Sequence, residues 1–228
     1  MANSLLTLLQ LCDSNFPSGA FSHSFGLETY IQEEYVTDKR SFGTWLRTYL
    51  EKQLIYTDGL AFRLAYEALE QGQIVELWSL DLVMTVQNLP RESREASRRM
   101  GERMIRLGLD LYDLPLLEEY LKRVKSKESF GHPSVAFAIL VYHLQISKVE
   151  GMLAFLYSNI AALIQNAVRG IPLGQTDGQR LLLEMQPLLI QAVNKIQRLK
   201  ADDLGAVSPG LEISQMRHER LQVRLFMS

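Results

Sequence analysis

The sequence predicts an all-α protein, a single-domain bundle of about nine or ten helices with a flexible C-terminal tail. Apolar residues recur at intervals of three and four along most of the chain, which is the spacing of an amphipathic helix. Glycine, proline and other turn residues interrupt this pattern at short intervals, where one helix would end and the next begin. The alternation of a half-buried strand appears only at Leu221, Val223 and Leu225.

The first half of the chain divides into helices at these interruptions. A loop rich in turn residues, 13–19, separates the first two helices. Pro90 suits the first turn of its helix, where its missing amide hydrogen costs nothing. The predicted helices in this half cover residues 5–12, 24–34, 42–50, 57–70, 73–87, 90–109 and 114–125.

The second half contains longer apolar helices and then changes character. Helices are predicted over 133–147, 149–168 and 175–200, with a kink at Pro187. The following residues combine adjacent aspartates, glycines and a proline with a mixed charged and apolar end. We therefore assign residues 1–204 to the helical domain, and residues 205–228 to a tail that a partner orders.

Length and composition limit the class of protein. A chain of 228 residues with 47% hydrophobic residues can build a real core, as one domain or two small ones. A net charge of −2 gives no overall attraction to nucleic acid. The single cysteine, Cys12, excludes an intramolecular disulfide and fits a reducing compartment. No run of about 18 residues that are all apolar is present, so we expect a cytoplasmic protein without a membrane span.

Motifs that carry chemistry are scarce in this sequence. It has no phosphate-binding loop of the G-x-x-x-x-G-K-[ST] type. The segment 174–180 resembles a phosphate cradle, but Thr176 and Gln179 have the spacing of a helix capping box, and the capping interpretation is favoured. Catalytic carboxylates or a nucleophile with its base cannot be identified. We therefore predict no enzyme and no cofactor.

The four histidines do not have the spacing of a metal site. His143 lies in an apolar run and is predicted to be a core residue, and His132 precedes a proline at a helix start. A preformed, high-affinity nickel site is not expected. The weak candidates for transient metal contact are His23, Cys12 and His218.

The most basic stretch, residues 91–106, contains six arginines. Glutamates four residues away from most of them neutralise this face, which argues against a nucleic-acid interface. Small residues also form a stripe along the predicted helix, at Ser93, Ser97, Gly101 and Gly108. Such a stripe favours close packing inside the bundle, and a partner surface is the alternative.

Five segments in order along the chain together resemble the UreF family of urease accessory proteins. The first, residues 9–30, is similar to the family signature D-[SA]-x-F-P-x-G-x-[FY]-x-H-S-x-G-L-E. The second, 94–101, resembles its R-x-x-S-x-x-x-G pattern. The remaining three are Gly131-His-Pro-Ser-Val-Ala-Phe137, Ile171-Pro-Leu-Gly-Gln-Thr-Asp-Gly-Gln179, and the tail residues 216–219 with 224–228.

The resemblance implies an all-α homodimer that takes part in urease maturation. It implies a complex with the accessory protein UreD, also called UreH, to which the GTPase UreG docks. That assembly delivers nickel to apo-urease, coupled to GTP hydrolysis by UreG, and a passage for the metal through UreF and UreD has been proposed in the family. A chain of this kind is a scaffold without chemistry of its own.

The residues expected to contact partners lie in the first and last segments. Aromatic side chains beside the Pro-Ser-Gly turn are candidate anchors, although they could equally fold back onto the helices. The full set of candidates is Phe16, Phe21, His23, Met216, His218, Leu221, Arg224 and Phe226. Two other functions stay open: a metallochaperone that holds nickel through His23, Cys12 and His218, and a GTPase-activating protein for UreG that uses Arg224 or an arginine from 91–106.

Overall fold

The computed structural model describes residues 2–14, 16–206 and 208–228, and this part of the chain contains helices and loops but no strand. A π-helical segment, Leu50–Gly59, joins two α-helical segments without a break, so ten separate helices are present among the described residues, as predicted. The α-helical segments are α1 Ala2–Leu11, α2 Leu27–Gln32, α3 Lys39–Tyr49, α4 Leu60–Glu70, α5 Ile74–Gln87, α6 Arg91–Leu111, α7 Pro115–Ser126, α8 Pro133–His143, α9 Lys148–Gly170, α10 Gln175–Ile196 and α11 Pro209–His218.

Helix α8 lies at the centre of the core. Every residue from Pro133 to Val141 is buried, and the helix packs against α4, α6 and α9. The ring of Phe137 lies 6.0 Å from that of Phe62 and 5.2 Å from that of Phe155, which brings three helices together. Burying each such side chain stabilises the fold by about 1.5–3 kcal/mol. The other helices therefore assemble around an element that has no polar face.

The π-helical segment replaces a predicted interruption. Sequence reasoning placed separate helices over 42–50 and 57–70, whereas the structure has one helix from Lys39 to Glu70 with a π segment in its middle. A π helix closes its hydrogen bonds over five residues instead of four, which changes the side on which the following side chains lie. This segment packs against α9 and α10.

Several local predictions were wrong. Helix α10 starts at Gln175 with Gly174 at its N-cap and no side-chain cap, so Thr176 does not form the predicted capping box. Pro187 lies inside the same helix, as predicted, and the kink at this residue stays a prediction. His143, predicted to lie in the core, is exposed at the end of α8.

The end of the chain is more ordered than the sequence suggested. Residues Pro209–His218 form α11, which packs against α2 and α6. Phe226 is only 4% exposed, although sequence reasoning found no helix against which it could be buried. The segment therefore has intramolecular contacts of its own, and its ordering by a partner stays a prediction.

Helix α9 is, within the described residues, the one helix long and apolar enough to cross a membrane. Half of that stretch is buried inside the protein, including Phe155 and Ile164. The core helix of a globular domain has the same length and composition. Its apolar character is accounted for by packing against α8 and α10.

The small residues of α6 serve close packing, as the favoured interpretation predicted. Gly101 and Gly108 are buried. A Cβ atom on Gly101 would lie 1.6 Å from the carbonyl oxygen of Gly131, and one on Gly108 would lie 2.8 Å from Leu140 in α8. The glycines therefore let the loop before α8 and α8 itself approach the backbone of α6.

Substituting Gly101 by alanine tests this close approach. The new methyl group would overlap the Gly131 backbone, which cannot move easily. We therefore expect Gly101→Ala to lower the free energy of unfolding, measured in urea titrations, by about 1–3 kcal/mol or more. Gly174→Ala is the matched control, because a Cβ there meets no atom within 4 Å, and it should change stability by less than about 0.5 kcal/mol. Equal stability of the two variants would contradict this packing.

Candidate partner-binding surface

The N-terminal loop and the end of the chain form one structure. The amide of Met227 donates to the Ser22 carbonyl at 2.8 Å, and the amide of Ser24 donates to the Ser228 main-chain oxygen at 2.6 Å. The Ser24 hydroxyl donates to that same oxygen at 2.8 Å, and His23 Nδ1 lies 2.9 Å from Ser228 Oγ. These contacts join segments about 200 residues apart along the chain.

Gly26 allows α11 to approach the start of α2. Its φ of +90° is in the left-handed region, which other residues rarely adopt. A Cβ at this position would lie 2.5 Å from the Ser214 hydroxyl oxygen. The hydroxyl of Thr29, one turn further on, donates to the Ser214 carbonyl at 2.8 Å. Glycine is therefore required at this position of the N-terminal motif both by the backbone conformation and by the close approach of α11.

A buried polar network connects α2, α6 and α11. His218 is fully buried, with Nε2 2.8 Å from Glu28 Oε2 and Nδ1 2.6 Å from Glu92 Oε2. Glu28 is also buried, at 1% exposure. The cationic form of an imidazole donates from both nitrogens at once and can satisfy two carboxylates. One side chain of the C-terminal segment thus contacts two helices that lie far apart in sequence.

The residues after α11 complete the hydrogen bonding of both carboxylates. The amides of Leu225 and Phe226 donate to Glu28 at 2.5 and 3.1 Å. Arg224 donates to Glu92 Oε1 at 2.7 Å and to the carbonyls of Glu219 and Leu221 at 2.7 and 3.1 Å. Three donors from these residues therefore converge on Glu28 and Glu92 in addition to the His218 ring, and the chain end is fixed at several points.

Burial and neighbouring groups shift the pKa values of His23 and Glu92 in this assembly. Burial, and then the charges of Arg103 and Arg99, lower the pKa of His23 to about 4, so this ring is neutral at neutral pH. Burial alone would raise the pKa of Glu92, but the hydrogen bonds from His218 and Arg224 outweigh it and the pKa lies below its ordinary value. Glu92 is therefore an anion that the C-terminal segment neutralises.

Four apolar side chains of the N-terminal loop and the C-terminal segment are exposed, and we call them together the loop–tail surface: Phe21, Val223, Leu225 and Met227. Their exposures are 60, 71, 64 and 56%. Arg169 lies over the rings of Phe21 and Phe226, 5.6 and 4.9 Å from the centroids, and donates to the Phe21 carbonyl. Exposed apolar groups held in place by a cation and rimmed with arginine are typical of partner interfaces.

The structure separates the predicted partner residues into two groups. Phe21, Met216 and Arg224 are exposed, and Leu221 is half-buried beside them. His23, His218 and Phe226 are buried beneath the surface, and Phe16 is half-buried against the core. Sequence reasoning missed Glu28, Glu92, Asn166 and Arg169, which hold the assembly together.

The three candidate metal contacts occupy different environments. Burial raises the pKa of the Cys12 thiol to about 12, and its sulfur contacts the Ala154 carbonyl at 3.4 Å. His23 and His218 contact Ser228 and the two glutamates, as described above. Across the described ranges, no group of three His, Cys, Asp or Glu side chains is arranged to hold a metal ion.

Comparisons with known proteins agree in the family they indicate. The family model UreF matches residues 36–186. The urease accessory protein UreF of Bacillus sp. strain TB-90 is 58% identical over 226 residues, which covers 99% of this chain and all of that protein. The urease accessory protein UreF of Lachnoclostridium phytofermentans is 52% identical over 228 residues, covering both chains completely. These full-length matches include the N-terminal loop and the C-terminal segment, which lie outside the family model's range.

Replacing His218 by glutamine tests the buried network. It removes the ring that contacts both Glu28 and Glu92, so we expect a loss of about 3 kcal/mol in the free energy of unfolding, the lower end for a broken buried pair because the segment can detach alone. Arg217→Gln is the matched control. It removes an exposed pair with Glu33 at 3.1 Å, and should cost about 0–1 kcal/mol. Urea titrations of both variants measure these losses. If both variants lose the same free energy of unfolding, the buried network stabilises the protein no more than an exposed ion pair does.

Proposed function

The chain belongs to the UreF family of urease accessory proteins, and from this premise we propose that it is a non-catalytic scaffold for nickel incorporation into apo-urease. In this role it binds UreD (UreH) and recruits or regulates the GTPase UreG, in the cytoplasm. The observation that supports a scaffold is the loop–tail surface, in which exposed apolar side chains stand on a rigid, hydrogen-bonded base. Such a preorganised surface lowers the entropic cost of binding another protein.

Two kinds of residue serve this surface in different ways. Phe21, Met216 and Arg224 are exposed and Leu221 is half-buried, so a partner could reach these side chains. The buried residues act through the others: His218 holds the segment to α2 and α6, while His23 and Phe226 fix its end. Phe16 supports the loop from the core side. We therefore propose direct partner contacts for the first group and positioning roles for the second.

The two other functions find less support in the geometry. A metallochaperone that uses His23, Cys12 and His218 would have to release His218 from two glutamates and deprotonate a buried thiol. An arginine supplied to UreG by Arg224 would have to leave Glu92 and two carbonyl groups. Acceleration of GTP hydrolysis by UreG, lost in Arg224→Ala while complex formation is retained, would establish that second function instead.

We further propose that the chain forms a homodimer through α1. Residues 2–12 carry no charge, and Leu5, Leu6 and Leu9 are 58, 65 and 59% exposed, while Leu8 on the other side packs against the core. An uncharged apolar helix face can pair with its own copy without repulsion between like charges.

The function of the loop–tail surface is tested by Phe21→Ala. If Phe21 is an interface anchor, truncation should cost about 2 kcal/mol or more, which is about 30-fold in affinity for UreD measured by calorimetry or quantitative co-purification. Tyr35→Ala is the control, because Tyr35 is another aromatic residue with 68% exposure. Both variants should keep the helical circular dichroism. Wild-type affinity of Phe21→Ala for UreD and for the UreD–UreG complex would contradict the assignment.

Self-association is tested by Leu6→Glu. A carboxylate on the exposed face of α1 would be buried against its own copy, so the variant should be monomeric in light scattering at a concentration where the wild type is dimeric. Leu183→Glu, at 64% exposure on α10, should leave the dimer unchanged. If Leu6→Glu remains dimeric, α1 does not form the dimer interface.

A further inference from the structure

Arg169, in the last turn of α9, holds its positive charge beside the aromatic side chains of the N-terminal loop and the C-terminal segment. Its guanidinium carbon lies 5.6 Å from the centroid of the Phe21 ring and 4.9 Å from that of the Phe226 ring. A cation within about 6 Å of an aromatic ring is attracted to its π electrons. The charge of Arg169 is therefore fixed next to Phe21, the exposed aromatic residue of the loop–tail surface.

The guanidinium of Arg169 has hydrogen-bonding capacity that the protein does not use. Nη2 donates to the Phe21 carbonyl and to Asn166 Oδ1, whereas Nε and Nη1 donate to no other described residue. Within the described part of the chain, no carboxylate lies within 4.0 Å of this side chain, unlike the arginines of the C-terminal segment that pair with glutamates: Arg217 with Glu33 and Arg224 with Glu92. Arg169 is thus a cation without a counter-charge at contact distance.

A second cation lies at the start of the same loop. Arg103, exposed on α6, lies so close to Gly19 that a Cβ atom at that position would overlap its guanidinium. It forms no ion pair with any other residue that the structure describes. Its charge acts on the loop, because Arg103 and Arg99 add to the effect of burial in lowering the pKa of His23 to about 4. The loop therefore lies in a positive electrostatic field.

A protein that covers Phe21 must also cover Arg169, because the guanidinium contacts the Phe21 ring. Removing water from an unpaired charge is costly unless an opposite charge replaces the water. A carboxylate is the best replacement, since it can accept two hydrogen bonds from the planar guanidinium. The contact geometry at Phe21 therefore requires an acidic group on the partner.

We propose that the protein bound by the loop–tail surface presents a carboxylate to Arg169 and a further acidic side chain to Arg103, among apolar side chains that cover the rest of the surface. A negatively charged and partly apolar protein surface is complementary to this one. A nucleic acid is a poorer match, because phosphate binding uses many cations and leaves exposed apolar side chains uncovered. That the occupant is a protein rests on the proposed function.

Charge substitutions combined with a salt titration test this complementarity, with UreD as the probe. The affinity of the wild type, measured by calorimetry, should fall as NaCl rises from about 0.05 to about 0.5 M, because salt screens charges at the interface. Arg103→Glu and Arg169→Gln should each lower the affinity about tenfold or more at low salt, and by less at high salt. Arg169→Lys, which keeps the charge, should retain the salt dependence.

Arg198→Glu is the matched control. Arg198 is exposed and, like Arg103, pairs with no carboxylate among the described residues. A short loop joins α9 to α10 and the two helices pack together, so the end of α10 near Arg198 lies far from Arg169. This variant should bind UreD as the wild type does, and all variants should keep the helical circular dichroism.

Three results would overturn the acidic partner: equal affinities of Arg103→Glu and Arg198→Glu, a wild-type affinity that does not change with salt, or losses of the same size at low and high salt. If Phe21→Ala still weakens binding in that case, only the charge complementarity is refuted. If Phe21→Ala also binds UreD as the wild type does, the loop–tail surface fails as well. Binding to phosphatidylglycerol vesicles that Arg103→Glu abolishes, with unchanged affinity for UreD, would identify a lipid surface as the occupant instead.

Discussion

The buried carboxylate of Glu28 is the constraint on which the loop–tail surface depends. A carboxylate at 1% exposure must find partners, because an unpaired charge in the interior is costly. Among the described residues, the hydrogen bonds of this carboxylate come from the C-terminal segment: from the His218 ring and the amides of Leu225 and Phe226. The N-terminal motif therefore cannot be buried as observed unless the end of the chain is in place.

This requirement links the two halves of the surface energetically. His218 shares its ring between Glu28 and Glu92, and Arg224 binds Glu92 from the other side. A substitution at Glu92 in α6 is therefore expected to alter the position of Arg224, and a substitution in the C-terminal segment is expected to alter the start of α2. The apolar side chains above the network gain a fixed arrangement from it, which is what a recruiting scaffold needs.

The sequence predicted the helices well where apolar spacing was strong, and failed where the signal was local or absent. Helices such as α5, α6 and α7 match their predicted ranges closely because periodicity and proline mark them. Helix α11 was missed, since its Ser-Pro-Gly start resembles a turn, although proline is favoured in the first turn of a helix. The π-helical segment leaves no such mark. Glu28 lies within the recognised motif, yet its partner His218 is 190 residues away, a pairing that one sequence cannot reveal.

Native-state hydrogen exchange at the amides of Leu225 and Phe226 tests the central claim most directly, because both amides are exchangeable only when the segment leaves Glu28. The structure predicts protection by at least about 100-fold over an unstructured peptide, corresponding to an opening free energy near 3 kcal/mol, in the isolated protein with no partner present. Exchange at the rate of an unstructured peptide would show that the segment is free until a partner binds. The buried network would then not be what holds the loop–tail surface together.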